Sequence, residues 1–249
     1  MFRMYARAGR TFGGNFPLFA IFSAIPVALD LFIEFANVRS SSGAIGANLF
    51  LYALITLYSH RLLLSGKSIP FSAMFGRKQN SPLEGPQKPF MLRLVAFWLF
   101  SAVVWALFCW AVYQIAGGEG RDVLYVVMII ALVPAAPVVY VALALFGTVF
   151  PAAAALQDAA MSNALARGKK TFWRTLFRLI AGNGLFTLAA LAGATFLFFA
   201  VGGGINFALE TFLSFLSGLV GLFGIHLTAT ALCMAYEEAR ELSEAEVFS

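Results

Sequence analysis

The sequence predicts an all-α integral membrane protein, a bundle of six transmembrane helices with one or two amphipathic helices at the cytoplasmic surface. Its 249 residues are 61% hydrophobic and 12% charged, whereas a soluble domain carries about 25% charged residues. The apolar residues occur in runs of about 20 or more, which is the length that a helix needs to cross a bilayer. The runs are continuous and do not alternate between apolar and polar residues, which favours helices over strands.

Six runs qualify as membrane spans. In chain order they are Phe16–Phe35, Gly43–Leu64, Met91–Ala116, Val123–Phe150, Leu179–Val201 and Phe207–Tyr236. The first run has about 20 residues and no small-residue cleavage site, so we predict an uncleaved span and not a signal peptide. No soluble domain fits between the runs, and the prediction is therefore one membrane domain over residues 1–249.

The lysine and arginine residues predict the orientation, because cytoplasmic loops carry an excess of both. Fifteen of the 17 lie before span one, around the connections between spans two and three and spans four and five, or after span six. Only Arg39 and Arg121 fall on the other side. We therefore expect both termini in the cytoplasm.

The same basic residues predict a lipid partner. The net charge is +5, but its carriers sit at membrane edges, where each contributes about 1 kcal/mol to binding an anionic leaflet. This argues against nucleic acid. The predicted contacts to anionic headgroups, or to a protein partner or second copy of the chain, are Arg3, Arg7, Arg10, Lys169, Lys170, Arg174 and Arg178.

Spans one and five begin with a short repeat, RTFGGN at Arg10–Asn15 and RLIAGN at Arg178–Asn183. Basic residues spaced by three and four predict an interfacial helix over residues 1–15, and residues 151–178 form a longer amphipathic segment. In each repeat the glycine permits a bend into the membrane, and the asparagine amide can cap the spanning helix. The repeat reflects either an internal duplication in parallel orientation or convergent interface chemistry.

The stretches ARAGRTFGGNFPLFAIFSAIP and GKKTFWRTLFRLIAGNGLFTLAALAG, together with the six-span layout, resemble the bacterial six-span membrane domain associated with glycerophosphodiester phosphodiesterases and its stand-alone relatives. Those proteins repeat an Arg-rich aromatic surface segment followed by Asn or Gly and a Leu-rich span. The resemblance does not cover the middle of the chain. It implies the membrane fold and a location in the inner membrane of a bacterium, but it carries over neither the catalytic activity of the fused members nor any functional residue.

Carboxylates near the outer ends of two spans predict a candidate cation or proton site. Asp30 and Glu34 are four residues apart and project from one helical face, at about 21 Å and about 27 Å from the inner start of span one. Glu210 begins span six at a similar depth. A carboxylate there is less costly than one at the bilayer centre. The alternative is a hydrated helix end with Arg39 as a surface partner.

His226 and two prolines are further candidates inside the spans. His226 lies about 16 Å from the inner edge of span six, where the imidazole either bonds across helices or acts as a ligand or proton relay. Pro134 and Pro137 lie near the middle of span four. They either bend that helix or break it, and a break would present carbonyl groups to a substrate.

Signatures of catalysis and of metal or cofactor binding are not found in the sequence. Ser217 and His226 share one span, whereas a serine nucleophile and its base need facing helices. The sequence has no paired-histidine zinc spacing and no Gly-rich phosphate loop, and Cys109 and Cys233 are isolated within spans. We therefore predict a chain that is not an enzyme and has no cofactor, metal site or catalytic residue.

Two further segments are predicted to lie in the cytoplasm. The connection at residues 65–90 holds four basic residues and one acid. The acidic tail, residues 237–249, is expected to continue span six as a helix, and it either stands free or pairs with the basic loops.

These observations favour a non-enzymatic inner-membrane protein that acts as an accessory or scaffold subunit of a membrane complex or in lipid organisation. The alternative is a small transporter or permease with a polar site near Asp30, Glu34 and His226 and a helix break at Pro134 and Pro137.

Overall fold

The computed structural model describes residues 1–35, 42–66, 88–116, 121–157, 159–201 and 207–247. Within these ranges the chain is helical apart from short junctions, and no strand occurs there. The helices are α1 (Phe2–Gly14), α2 (Phe16–Phe35), α3 (Ser42–Ser65), α4 (Lys88–Ala116), α5 (Arg121–Phe146), α6 (Val149–Ala154), α7 (Met161–Leu179), α8 (Leu185–Val201) and α9 (Phe207–Val247). A π-helical turn at Ile180–Gly184 joins α7 to α8. Most of the predicted 65–90 loop lies outside the described residues.

Six helical stretches in these ranges are long and apolar enough to cross a membrane, which confirms the predicted all-α membrane fold. They are Phe16–Phe35, Gly46–Ser65, Lys88–Ala116, Val126–Phe146, Met161–Phe196 and Phe207–Ala245. The fifth stretch is longer than the predicted span because α7 leads through the π turn into α8. The sixth is longer because α9 continues through the acidic tail, as predicted.

Large apolar side chains are exposed along the spanning helices. Leu99 of α4 and Ile129 and Val133 of α5 are examples. In water such surfaces would be an aggregation hazard. In a bilayer they contact hydrocarbon, so the exposed side chains fit the membrane assignment.

The described residues form two compact units. The first is Met1–Pro86 with Phe177–Met234, and the second is Gln87–Leu176 with Ala235–Ser249. The prediction of one membrane domain remains a prediction.

The core of the first unit joins α1, α2, α3 and α9. Phe19, Ile55 and Leu62 are fully buried there, and Leu222 is nearly so. Phe12 of α1 stacks on Phe19 with ring centroids 4.1 Å apart. The amphipathic helix α1 is therefore a packed part of this unit and not only a surface helix.

In the second unit α4 packs along α5, and α6 fills the space beside α4. The indole Nε1 of Trp105 donates a hydrogen bond to the carbonyl of Met128 (3.2 Å). Phe150 of α6 lies 5.8 Å from the rings of both Phe90 and Phe97. All residues of α6 are buried, so this short helix is a core element.

The two Gly-Asn pairs of the predicted repeat adopt different structures. Asn15 separates α1 from α2, and its Nδ2 donates to the carbonyl of Thr11 (2.8 Å), which closes the last turn of α1. Gly182 and Asn183 instead lie within the π turn. A π turn absorbs an extra residue inside a helix. The second pair therefore connects α7 and α8 through continuous helix, and the separate turn that the sequence predicts is not found.

Candidate functional site

Helix α7 has one buried and one exposed side. The buried side consists of small or hydroxylated residues, Ala164, Gly168, Thr171 and Thr175. Lys169, Trp173 and Arg174 are exposed on the opposite side, where the Trp173 side chain is 77% exposed. We call these three residues the basic–aromatic face of α7. The separation of the two sides follows from the helical period.

The small residues allow α7 to lie directly on the end of α5. A Cβ atom at Gly168 would be only 1.9 Å from the carbonyl oxygen of Leu145, so the two backbones touch. Thr148 Oγ1 donates to the carbonyl of Ala164 (3.2 Å), and Arg167 Nε donates to Thr148 Oγ1 (3.4 Å). These contacts fix the rotation of α7 and thereby decide which of its residues are exposed.

The C-terminal part of α9 packs against the same helix. The guanidinium of Arg167 lies over the ring of Tyr236, 5.4 Å from its centroid. Lys170 Nζ donates to Ser243 Oγ (3.4 Å), and the hydroxyl of Tyr236 bonds to Gln157 Oε1. The acidic tail therefore does not stand free. Lys170 contacts the tail, although the Lys170 side chain is exposed.

The basic residues predicted on α1 separate into two groups. Arg3 and Arg10 are exposed, whereas Arg7 Nη2 donates to the carbonyl of Leu63 (2.9 Å). Leu63 lies in the last turn of α3, where carbonyls lack helical partners and the helix dipole favours a cation. Arg7 therefore ties α1 to α3. Arg178, at the end of α7, is half-buried.

The two surface helices share a docking pattern at an offset of 160 residues. The matching residues are Ala6, Arg7, Thr11 and Phe12 in α1 and Ala166, Arg167, Thr171 and Phe172 in α7. In each helix the arginine donates to a group at the end of a spanning helix, and the small residue that follows it is buried. The Arg-x3-Gly-Asn repeat recognised in the sequence aligns the two helices in a different register. The residues shared at the offset of 160 are too common to be recognised without the contacts.

A cavity of about 490 Å³ lies within the first unit, between α2, α3 and α9. Asp30 and Glu210, whose side chains are both exposed, line it together with five neutral polar residues, Ser23, Asn48, Tyr52, Ser214 and Ser217. The structure thus brings together two of the three predicted carboxylates. Glu34 is exposed and is not among the lining residues. Arg39, its predicted alternative partner, lies outside the described residues.

The polar groups of the cavity differ in how they are bonded. Ser23 Oγ donates to the carbonyl of Phe215 (2.7 Å), so α2 and α9 are in contact beside the cavity. Gly218 permits this approach, because a Cβ atom there would be 2.4 Å from Ser23 Oγ. Asn48 Oδ1 is buried and accepts no hydrogen bond from any residue that the structure describes.

His226 is fully buried but does not line the cavity. Its ring packs edge-on against Phe19 (centroids 5.2 Å apart) and near Phe12 (6.0 Å). Neither ring nitrogen has a hydrogen-bond partner within the described part of the chain. The predicted hydrogen bond across helices is therefore not found there, because aromatic rings cover the imidazole.

Helix α5 continues through both Pro134 and Pro137. Pro137 is exposed and Pro134 is half-buried. Of the two interpretations of these prolines, a helix that remains intact agrees with the structure. The alternative interpretation, a break that would present backbone carbonyls, does not agree with the continuous helix.

The sequence does contain a signal for the cavity. Along α9, small or polar residues recur every three or four positions from Glu210 onwards, namely Ser214, Ser217 and Gly221. This period places them on one helical side, and all of them line the cavity. Tyr5 is different. It gives no such signal in the sequence, and only the structure shows its hydroxyl at the π turn, 2.9 Å from the carbonyl of Gly182.

Comparison of the chain with protein-family models, curated proteins and solved structures gives no match. The resemblance to the six-span domain associated with glycerophosphodiester phosphodiesterases is therefore neither supported nor opposed by relatives. The function is therefore inferred from the geometry of the chain itself.

Proposed function

We propose that this chain is a non-enzymatic protein of the bacterial inner membrane that binds anionic lipid at the cytoplasmic surface, and that it thereby organises lipid or supports a larger membrane complex. The observation that carries the proposal is the basic–aromatic face of α7. There Lys169, Trp173 and Arg174 are exposed together on a helix whose opposite side is packed.

The chemistry of this face suits the headgroup region. A lysine or arginine near an anionic leaflet contributes about 1 kcal/mol to binding. Tryptophan is enriched at the membrane interface, because its ring is apolar and its N–H is polar. The backbone contact at Gly168 holds the helix rigidly, so little conformational entropy is lost when a headgroup binds.

Helix α1 offers a second surface of the same kind. Arg3 and Arg10 are exposed, and Phe2 at its start is 89% exposed. Arg7 is occupied by its contact with Leu63. We therefore assign lipid contact on α1 to Arg3 and Arg10, and we assign anchoring of the helix to Arg7.

The test compares lipid dependence of stability in nanodiscs. We expect the unfolding temperature of the wild type to rise when anionic lipid replaces part of the zwitterionic lipid, because a ligand that binds only the folded state stabilises it. In the variant K169Q/R174Q this rise should be largely lost. The matched control K169R/R174K keeps both charges and should behave as the wild type.

Two results would count against the lipid proposal. One is an equal response of K169Q/R174Q and the wild type to anionic lipid. The other is a loss of the response in K169R/R174K, which would show that side-chain shape and not charge is decisive.

A small transporter or permease is the second candidate function, and the cavity beside Asp30 and Glu210 is the observation that favours it. His226 and the two prolines of α5 do not add to it, because His226 lies outside the cavity lining and α5 is unbroken. Its test is flux of a cationic solute into proteoliposomes. The flux should be present with the wild type and reduced in Asp30→Asn, and the absence of flux would exclude it.

A further inference from the structure

We propose that the cavity between α2, α3 and α9 binds a small organic cation, with one or two ammonium groups on an apolar body. This assignment goes beyond the proposed lipid function and does not depend on it. It also holds whether or not the chain moves the cation across the membrane.

The charge of the lining selects a cation. Asp30 and Glu210 are both present, and among the described residues that line the cavity there is no lysine, arginine or histidine. Both side chains are exposed, and two carboxylates that line one cavity attract positive charge to it, because hydrocarbon and protein screen charge less than water does. An anionic ligand would be repelled by the same two carboxylates.

The neutral polar groups suit the N–H donors of an ammonium group. Asn48 Oδ1 is buried and has no hydrogen-bond partner among the described residues. Buried acceptors in folded proteins normally have a partner. The hydroxyl groups of Ser217 and Tyr52 are further acceptors in the lining. An ammonium group has three donors or more and no acceptor, so it complements this arrangement.

The size and the walls favour an organic cation over a bare metal ion. The volume of about 490 Å³ falls in the range of about 300–1,000 Å³ that is typical of small-molecule sites. Among the described residues no group of three or more His, Cys, Asp or Glu side chains is placed to hold a metal. Phe22, Leu51 and Leu213 add apolar walls. The rings of Phe22 and Tyr52 are also surfaces that attract ammonium groups.

The experiment is calorimetric titration of the full chain in detergent micelles with two amines, 1,4-diaminobutane and benzylamine. The neutral analogue 1,4-butanediol is the ligand control. We expect saturable binding of at least one amine and none of the diol. Asp30→Asn and Glu210→Gln should each weaken amine binding about tenfold or more, as expected for the loss of a charged hydrogen-bond partner.

Glu34→Gln is the matched control, because Glu34 is a carboxylate of the same helix that does not line the cavity. It should bind the amines as the wild type does. The proposal is overturned if neither amine binds, if Asp30→Asn and Glu210→Gln bind amines normally, or if Glu34→Gln loses as much affinity as they do. Binding of Na⁺ or Mg²⁺ alone at these carboxylates, without amine binding, would replace the organic cation by an inorganic one.

The variant K169Q/R174Q separates this proposal from the lipid proposal. It should bind the amines with unchanged affinity, since neither residue lines the cavity. A loss of amine binding in this variant would contradict the independence of the two sites.

Discussion

At Gly168 the backbone of α7 meets the carbonyl oxygen of Leu145, and no side chain fits between them. We expect Gly168→Ala to destabilise the protein by at least about 1–3 kcal/mol, as overpacking does, because a backbone group cannot move aside as a flexible side chain can. The measurement is thermal unfolding of the purified protein in detergent. Gly9→Ala is the control. Apart from the backbone of its own helix, no described atom lies within 4 Å of a Cβ there, so alanine should be neutral or raise helix stability by up to about 1 kcal/mol. Equal stability of the two variants would contradict the close contact.

Leu156 is strained, because its φ of 57° is in the left-handed region that suits glycine. Its side chain is 55% exposed, so removing it loses little packing. We expect Leu156→Gly to be more stable than Leu156→Ala by about 1 kcal/mol, since only glycine avoids the Cβ penalty. Chemical unfolding of the two variants side by side measures this difference. If the alanine variant is as stable as the glycine variant, Leu156 does not have the assigned backbone conformation.

At the scale of elements, α1 is attached to the π turn by its side chains. The hydroxyl of Tyr5 lies 3.1 Å from the carbonyl of Ala181 and 2.9 Å from that of Gly182. A π turn disturbs the regular hydrogen bonds of a helix, and Tyr5 supplies a donor there. The Met4 side chain covers the same turn, since its Cε would be 2.4 Å from a Cβ at Gly182.

Tyr5→Phe tests this attachment. We expect a loss of about 1 kcal/mol of stability, the usual contribution of one hydrogen bond, and faster amide hydrogen exchange in residues 180–184. Tyr113→Phe changes an exposed tyrosine and should affect neither quantity. Unchanged exchange at the π turn in Tyr5→Phe would show that α1 does not support it.

The spanning helices could be predicted from the sequence, whereas their junctions could not. A run of about 20 apolar residues specifies a membrane helix with little dependence on its neighbours. The π turn at Ile180–Gly184 does depend on neighbours, because Tyr5 and Met4 from a distant segment contact it. The role of Arg7 was hidden for the same reason. Its spacing fits a surface row of basic residues, and only the fold shows its contact with Leu63.

The candidate cavity was predicted in part. Spacing along one helix placed Asp30 and Glu34 on the same side, but it cannot tell how far a neighbouring helix extends beside them. The cavity therefore includes Asp30 with Glu210 and leaves Glu34 out. The position of Asn48 in the cavity could not be predicted from the sequence, because a polar residue in a spanning helix can face many different neighbours.

Cysteine labelling tests the predicted topology of the whole chain. In a background with Cys109 and Cys233 replaced by alanine, Ser162→Cys marks the start of α7, and Gly118→Cys marks the connection between spans three and four. The excess of basic residues near α7 predicts that Ser162→Cys is cytoplasmic. A membrane-impermeant maleimide applied to intact spheroplasts should label only Gly118→Cys. Labelling of Ser162→Cys without permeabilisation would reverse the orientation and place the basic–aromatic face outside the cell.

Native mass spectrometry can show whether the exposed face of α7 holds anionic lipid. Wild type, K169Q/R174Q and K169R/R174K are extracted gently from the same membranes, and the phospholipids retained by each are counted and identified. We predict that the wild type and K169R/R174K retain anionic phospholipid and that K169Q/R174Q retains less. The same number of anionic lipids on all three proteins, or equal retention of zwitterionic lipid by the wild type, would contradict the claim.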